Sequence, residues 1–163
     1  MFFDRSSDTS GNHRPLLGLI ILTLLVGASG TLFTEPNIPT WYAGLLKPSF
    51  NPPNWLFAPV WTTLYIMMAI AAWRVWKITG LKSREMAAWG TQLVLNALWT
   101  PLFFGAHLLL PALVEMGLLW LAIATTLVLF WRKDRIAGLM LVPYLAWVSF
   151  AFTLNWALWQ LNG

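Results

Sequence analysis

Large aromatic side chains and a few uncharged amides are the residues of this 163-residue chain whose types and spacing could do chemistry. Within each predicted helix they recur every three or four residues, so they share one face. They are Trp61 and Tyr65, then Asn96, Trp99 and Phe103, and finally Trp147. Flat π-faces with few hydrogen-bonding groups suit a large, planar, apolar ligand. Interfacial anchoring is the alternative, and it fits the tryptophans near predicted helix ends, which are Trp73, Trp76, Trp131, Trp156 and Trp159.

Other kinds of chemistry find little support in the sequence. No HExxH pattern, glycine-rich phosphate loop or Ser/His/Asp set is visible, and the absence of cysteine excludes disulfides and Cys-ligated metals. Glu115 lies inside a predicted membrane segment, where an acid indicates a functional site. The alternative is that it lies close enough to the outer interface to snorkel or to meet His107. His107 is either a haem ligand or a hydrated turn residue. The sequence therefore predicts neither a metal site nor a required cofactor.

The composition is that of a membrane protein. Hydrophobic residues make up 58% of the chain and charged residues 10%, and the mean hydropathy is +0.65. The net charge of +4 does not indicate nucleic-acid binding, because the basic residues lie in short blocks between apolar runs. We therefore predict an all-α integral membrane bundle of five transmembrane helices in a lipid bilayer.

The uncharged runs place these helices along the chain. A polar tail, residues 1–14, precedes a single transmembrane domain, residues 15–163, and a proline-rich lid loop is expected at 35–53, between the first two helices. The predicted helices are 15–34, 54–76, 86–105, 109–131 and 136–160, and the uncharged first run is long enough to cross a core of about 30 Å. A signal peptide is the alternative for that run, because Arg14 and Ala28-Ser29-Gly30 imitate its flanks.

The basic residues predict the orientation. Nine lie in the tail or near the connections between the second and third and between the fourth and fifth predicted helices. The lid side holds only Lys47. Excess Lys and Arg mark cytoplasmic loops, so the N-terminus is expected on the cytoplasmic or equivalent side and the C-terminus on the opposite side. The lack of a long C-terminal extension favours a bacterial cell membrane.

Three blocks of the chain resemble one protein family closely. They are WYAGLLKPSFNPPNWLFAPVWTTLY (41–65), QLVLNALWTPLFFGA (92–106) and PYLAWVSFAFTLN (143–155). The family is that of the tryptophan-rich sensory proteins, also called translocator proteins or peripheral benzodiazepine receptors. The resemblance implies a five-helix bundle, often a homodimer, that binds porphyrins and haem, and in some members sterols and benzodiazepine-type drugs. It also implies a part in tetrapyrrole regulation, transport or stress signalling.

The resemblance also assigns a ligand pocket residue by residue. It falls on Tyr42, Pro52, Trp61, Tyr65, Asn96, Trp99, Phe103, Trp147 and Ala151. Trp61 and Trp147 match two tryptophans linked in some bacterial members to light-dependent porphyrin breakdown. The sterol pattern of animal members is incomplete, because no basic residue follows Tyr144. The glycine pair proposed for the dimer contact reads Ala87 and Thr91 here, which keeps small-residue packing.

Three functions stay open at this point. The first is a receptor or carrier that holds a tetrapyrrole under the lid against Trp61 and Trp147. The second is an enzyme in which those two indoles are redox partners of a photo-excited porphyrin and oxygen, with no general acid or base beside them. The third is a scaffold that acts through protein partners and is only regulated by a ligand.

Overall fold

The computed structural model describes residues 13–163, which fold into helices joined by short turns. The α-helices are α1 (Arg14–Asn37), α2 (Phe57–Thr79), α3 (Arg84–Thr100), α4 (Leu109–Trp131), the short α5 (Arg135–Met140) and α6 (Val142–Asn162). A π-helical turn follows α1 at Ile38–Tyr42, another follows α3 at Pro101–Gly105, and a 3₁₀ turn precedes α2 at Asn54–Leu56. The predicted tail lies outside the described residues, apart from His13 and Arg14, and Arg14 already begins α1.

Local side-chain chemistry sets several helix ends. The Ser83 hydroxyl accepts a hydrogen bond from the Met86 N–H at the start of α3. The Asp134 carboxylate accepts from the N–H groups of Ile136 and Ala137 at the start of α5. Such caps satisfy N–H groups that lack a partner within the helix. Gly80 ends α2 with a φ of 76°, in the region that favours glycine.

Four helical stretches are long and apolar enough to cross a membrane. They are Arg14–Tyr42, Asn54–Thr79, Leu109–Trp131 and Arg135–Asn162. The predicted all-α class is confirmed. Of the five predicted transmembrane helices, four correspond to these stretches, whereas the third, α3, does not. Helix α3 has 17 residues and carries the polar side chains of Gln92 and Asn96, which are buried within the bundle.

The lid begins later than predicted. A loop was expected from residue 35, but α1 runs to Asn37 and continues through the π-helical turn to Tyr42. Pro36 lies inside the helix although it lacks the N–H of a regular helical residue, and the helix continues past it to the packed ring of Trp41. The Trp41 ring stacks on His107 with 4.2 Å between centroids and meets the edge of Phe103 at 5.4 Å. The non-helical part of the lid is therefore shorter than the predicted 35–53.

The third and fifth predicted helices also differ from the observed ones in their bounds. The helix predicted at 86–105 begins at Arg84 and becomes a π-helical turn at Pro101. The helix predicted at 136–160 is divided at Leu141 into α5 and α6. Proline at position 143 stands in the first turn of α6, where its missing N–H is tolerated, and this favours a new helix start there. The prediction for α4, 109–131, coincides with the observed helix.

The bundle has two dissimilar ends. We call the end that holds the 80–83 and 132–134 turns the basic end, and the end that holds Tyr42 and the 105–108 turn the cavity end. At the basic end the core is closely packed, and the side chains of Met68, Ala72, Val75 and Phe130 are fully buried. Small alanines in α2 allow this packing, because they let neighbouring backbones approach.

A chain of side-chain hydrogen bonds joins three helices between the two ends. The Tyr65 hydroxyl donates to Asn96 Oδ1 at 2.6 Å, and Asn96 Nδ2 donates to the Tyr144 hydroxyl at 3.1 Å. Tyr144 donates in turn to Gln92 Oε1 at 2.8 Å, and Gln92 Nε2 points to the Met68 sulfur at 3.7 Å. These buried polar groups are therefore partnered, and the network fixes the relative positions of α2, α3 and α6.

Candidate functional site

A cavity of about 450 Å³ lies among α1, α2, α3, α4 and α6 at the cavity end. Its volume falls within the roughly 300–1,000 Å³ usual for small-molecule and cofactor sites. Eight aromatic side chains form much of its wall, which are Tyr42, Phe57, Trp61, Tyr65, Trp99, Phe103, Phe104 and Trp147. The wall contains no charged side chain among the described residues. The cavity therefore suits an apolar ligand with aromatic faces.

Small residues of α1 make room for the cavity. Gly27, Ala28, Gly30 and Thr31 line it. A Cβ added at Gly27 would lie only 2.5 Å from the Tyr65 ring, whereas one added at Gly30 would stand 3.4 Å from the nearest atom. Small residues in a membrane helix let a neighbouring helix approach closely. Gly27 performs that role, because it lets the Tyr65 ring pack directly against α1.

Trp61 is held in place by its own helix and by α6. Its ring stacks on Tyr65 with a centroid distance of 5.5 Å and an interplanar angle of 29°. It also meets Tyr144 edge-on at 6.2 Å. Since both tyrosines belong to the hydrogen-bond network below the cavity, the orientation of Trp61 is coupled to that network. One wall of the cavity is therefore rigid before any ligand binds.

Two further tryptophans complete the aromatic wall. Trp99 stacks on Phe103 with 4.9 Å between centroids and an angle of 20°. Trp147 meets Phe57 in an edge-to-face contact at 5.9 Å and is tilted against Phe150 at 5.5 Å. These geometries are the favourable ones for aromatic pairs. They bring side chains from α2, α3 and α6 onto one cavity.

Several polar atoms of the cavity wall have no hydrogen-bond partner. They are Nε1 of Trp99, Nε1 of Trp147, and both amide atoms of Asn155, whose side chain is buried. Most buried polar groups in proteins are paired, so each exception calls for an explanation. The indoles offer two donors, and the amide offers one donor group and one acceptor. A ligand with hydrogen-bonding groups at its edge would satisfy them.

The structure brings together eight of the nine pocket residues assigned from the sequence. The cavity is lined by Tyr42, Trp61, Tyr65, Asn96, Trp99, Phe103, Trp147 and Ala151. Pro52 is not on its wall. Two hydrogen bonds hold the lid residues before Pro52 in place. The Tyr42 hydroxyl donates to Asn51 Oδ1 at 2.9 Å, and Lys47 Nζ donates to the Tyr42 carbonyl at 2.7 Å.

Asn155 is a fully buried polar wall residue that the sequence assignment missed. A signal was present, because Trp147, Ala151 and Asn155 recur every four residues along one stripe of the last helix. Two apolar side chains of α4, Met116 and Leu119, were also missed. Nothing in their sequence context distinguishes them from ordinary core residues.

Glu115 and His107 lie apart from each other. Both carboxylate oxygens of Glu115 are buried without a hydrogen-bond partner, and the residue is not on the cavity wall. His107 is exposed at the tight turn before α4, and its Nε2 pairs with Asn37 Oδ1 at 2.9 Å. The proposed contact between the two is therefore wrong. The described residues 13–163 contain no group of three His, Cys, Asp or Glu that could hold a metal ion.

Comparison with known proteins agrees with this architecture. The sequence pattern of the TspO/MBR family matches residues 19–160. The chain belongs to this family. The family predicted from the three sequence blocks is therefore confirmed, and with its long apolar helices the chain is an integral membrane protein.

Relatives in the TspO/MBR family come from bacteria, archaea and animals. Protein CrtK of Rhodobacter capsulatus is 46% identical over 142 residues, covering 83% of this chain and 85% of that protein. Tryptophan-rich protein TspO of Archaeoglobus fulgidus is 43% identical over 153 residues, covering 93% and 99%. The translocator protein of Homo sapiens is 39% identical over 152 residues, covering 91% and 90%. The similarity thus extends over nearly all of each chain.

Proposed function

We propose that this TspO/MBR family protein is a membrane receptor or carrier that binds tetrapyrroles, such as porphyrin or haem, in the aromatic cavity. The observation that carries the proposal is the combination of flat aromatic walls with unpartnered polar atoms in one cavity of about 450 Å³. A tetrapyrrole offers a large planar π-face together with polar groups at its edge. Binding would contribute to tetrapyrrole regulation, transport or stress signalling.

The geometry suggests how such a ligand would lie. Its face would pack against Trp61 and Trp147, and the small residues of α1 would leave space on the opposite side. Carboxylate or carbonyl oxygens at its edge would accept from the indole N–H groups of Trp99 and Trp147. The Asn155 amide would pair with a polar group of the ligand. No charged side chain would be needed, in agreement with the uncharged wall.

A titration of the detergent-purified protein with protoporphyrin in the dark, followed by tryptophan fluorescence, tests the proposal. We expect saturable binding that weakens about ten- to a hundredfold when Trp147 is replaced by Ala, because a buried aromatic contact contributes about 1.5–3 kcal/mol. Trp156→Ala is the matched control, since Trp156 belongs to the same helix but is 51% exposed on its outer face. Equal affinities of the two folded variants would overturn the pocket assignment.

A second candidate function is light- and oxygen-dependent breakdown of the bound porphyrin. The observation that favours it is that Trp61 and Trp147 both line the cavity. Dioxygen would oxidise the macrocycle, and an indole would relay an electron between the two.

Trp61→Phe and Trp147→Phe separate the candidates, because stacking survives this change and indole redox chemistry does not. Protein-dependent loss of the porphyrin absorbance band under steady light, abolished by either change, would establish the enzyme. If the absorbance band is as stable as that of porphyrin in empty micelles, the result favours the receptor or carrier over the enzyme.

The same proposal includes the membrane arrangement. Helix α3, extended by the turn to Gly105, would form the fifth span, with the basic end and the N-terminus in the cytoplasm and the C-terminus opposite. The membrane would be a bacterial cell membrane. Ala87 and Thr91 are exposed one turn apart on α3, which supports a homodimer contact there. Accessibility of cysteines introduced at Lys47 and Lys82, probed with a membrane-impermeant thiol reagent, tests the orientation.

A further inference from the structure

A second concave surface lies far from the cavity, between α1 and α3 at the basic end. Its apolar part is formed by Leu19 and Leu22 of α1 and by Met86, Trp89 and Gly90 of α3. Leu22 is 44% exposed, so the groove presents apolar surface to its surroundings. In the membrane arrangement proposed above, on which this inference rests, the groove lies at the boundary between acyl chains and head groups, because α3 begins only a few residues earlier.

The mouth of the groove is basic. Lys82, Ser83 and Arg84 line it, immediately before and within the first turn of α3. Lys82 forms no ion pair within residues 13–163. Arg84 donates from Nε to Glu85 at 3.2 Å, but its side chain is 71% exposed and available outside that contact. The first turn of a helix also favours negative charge, because its N–H groups and dipole point there.

We propose that this groove binds a phospholipid with an anionic head group. The phosphate would lie against Lys82 and Arg84, and an acyl chain would follow Leu19, Leu22 and Trp89. Basic pockets between transmembrane helices bind anionic lipid head groups for the same reason. A lipid is favoured over a soluble anion, because the apolar floor continues directly from the basic mouth and lies at membrane depth.

The test compares lipid binding by native mass spectrometry of the delipidated full-length protein. Phosphatidylglycerol and phosphatidylcholine with the same acyl chains are titrated separately. We expect preferential retention of phosphatidylglycerol. The variant Lys82→Ala/Arg84→Ala should weaken phosphatidylglycerol binding about thirtyfold, since each basic residue at an anionic membrane surface contributes about fivefold. Phosphatidylcholine binding should change much less.

Two further variants make the test specific. Arg132→Ala/Arg135→Ala removes the same charge from exposed residues of the basic end outside the groove, and it should leave lipid retention within about twofold of wild type. Gly90→Leu fills the groove without changing charge. A Cβ added at Gly90 meets no atom within 4 Å, so the helix tolerates the substitution. We expect Gly90→Leu to weaken retention of both lipids.

The possible results decide the proposal. Weaker phosphatidylglycerol retention in the Lys82/Arg84 and Gly90 variants, but not in the control, supports a lipid site. An equal loss in the control variant would mean general electrostatic attraction and would overturn the site. Ala87 borders both this groove and the proposed dimer face. If Gly90→Leu changes the dimer fraction and leaves lipid retention unchanged, the groove is a contact with a second copy and the lipid proposal fails.

Discussion

The Tyr65–Asn96–Tyr144–Gln92 network and the Asn155 amide differ in how their buried polar groups are satisfied. Towards the basic end, Gln92 and Tyr144 satisfy each other, and their network continues to Asn96 and Tyr65. At the cavity end, Asn155 is equally buried, yet neither of its amide atoms has a partner. Satisfied networks rigidify a core, whereas unpaired buried groups cost stability. The network therefore rigidifies the core, whereas under the proposed function the Asn155 amide is satisfied only when a ligand is bound.

Packing and charge follow the same division. Fully buried side chains such as Met68 and Phe130 fill the basic end, whereas the cavity end encloses about 450 Å³ of space. The ion pairs formed among residues 13–163 also lie at the basic end. Arg74 binds Asp134 at 2.7 Å, and Glu85 accepts from Arg84. Under the proposed function, close packing and ligand binding thus occupy different parts of one small bundle, as expected where a binding site carries a stability cost.

The largest expected difference between the ends concerns packing. Phe130→Ala should lower the free energy of unfolding by about 3 kcal/mol, because a fully buried ring leaves a void in a closely packed region. Trp147→Ala should cost less, since its side chain already borders a cavity. Thermal or SDS unfolding in detergent measures both. A larger loss for Trp147→Ala would remove the distinction between a packed and an open end.

A smaller effect, of opposite sign at the two ends, concerns hydrogen bonding. Tyr144→Phe leaves two buried atoms, Gln92 Oε1 and Asn96 Nδ2, without a partner and should destabilise the protein by about 1–2 kcal/mol. Asn155→Leu removes unpaired polar atoms and should stabilise the ligand-free protein by about 1 kcal/mol. Unfolding measurements should be paired with the porphyrin titration, in which Asn155→Leu lowers affinity. Destabilisation by Asn155→Leu would mean that the amide is satisfied without a ligand.

The smallest expected effect is electrostatic and depends on pH. The hydrogen bond from Arg74, helped by the N–H groups of Ala137 and Ile136, holds the pKa of Asp134 below its usual value. A carboxyl group with a lowered pKa contributes stability above its unfolded pKa of about 3.9, and this contribution is lost as the pH falls through the folded pKa. For this partly exposed pair we expect less than about 1 kcal/mol.

Asp134→Asn isolates that contribution. Asn keeps a side-chain oxygen that can cap α5, so the change removes the charge and spares the cap. Unfolding at pH 7, about 5 and about 3 should show wild type more stable than the variant at neutral pH, with the difference becoming smaller at the lowest pH. A difference that is the same at all three pH values would assign the effect to the cap. Porphyrin binding should not change, because the pair lies at the opposite end from the cavity.

Much of the pocket could be predicted, because spacing along a helix determines which residues share a face. Trp61 with Tyr65, and Asn96 with Trp99 and Phe103, fall on the cavity for that reason. Pro52 does not, because the path of a loop depends on its contacts rather than on periodicity. Here the chain beside it is held by the bond from Tyr42 to Asn51.

The sequence by itself determined the family, through three blocks of matching residues. It also determined the all-α class and the approximate position of each apolar helix, because uncharged runs of membrane length leave the backbone few alternatives. Tertiary structure decided the rest. The first helix passes through Pro36, although proline favours a break there, and Trp41 beyond it stacks on His107 from a distant segment. Only the packed bundle shows that Asn155 and the indoles of Trp99 and Trp147 lack partners while Gln92 has one. Hydrogen-bond satisfaction depends on side chains from distant segments, and one-dimensional spacing does not contain that information.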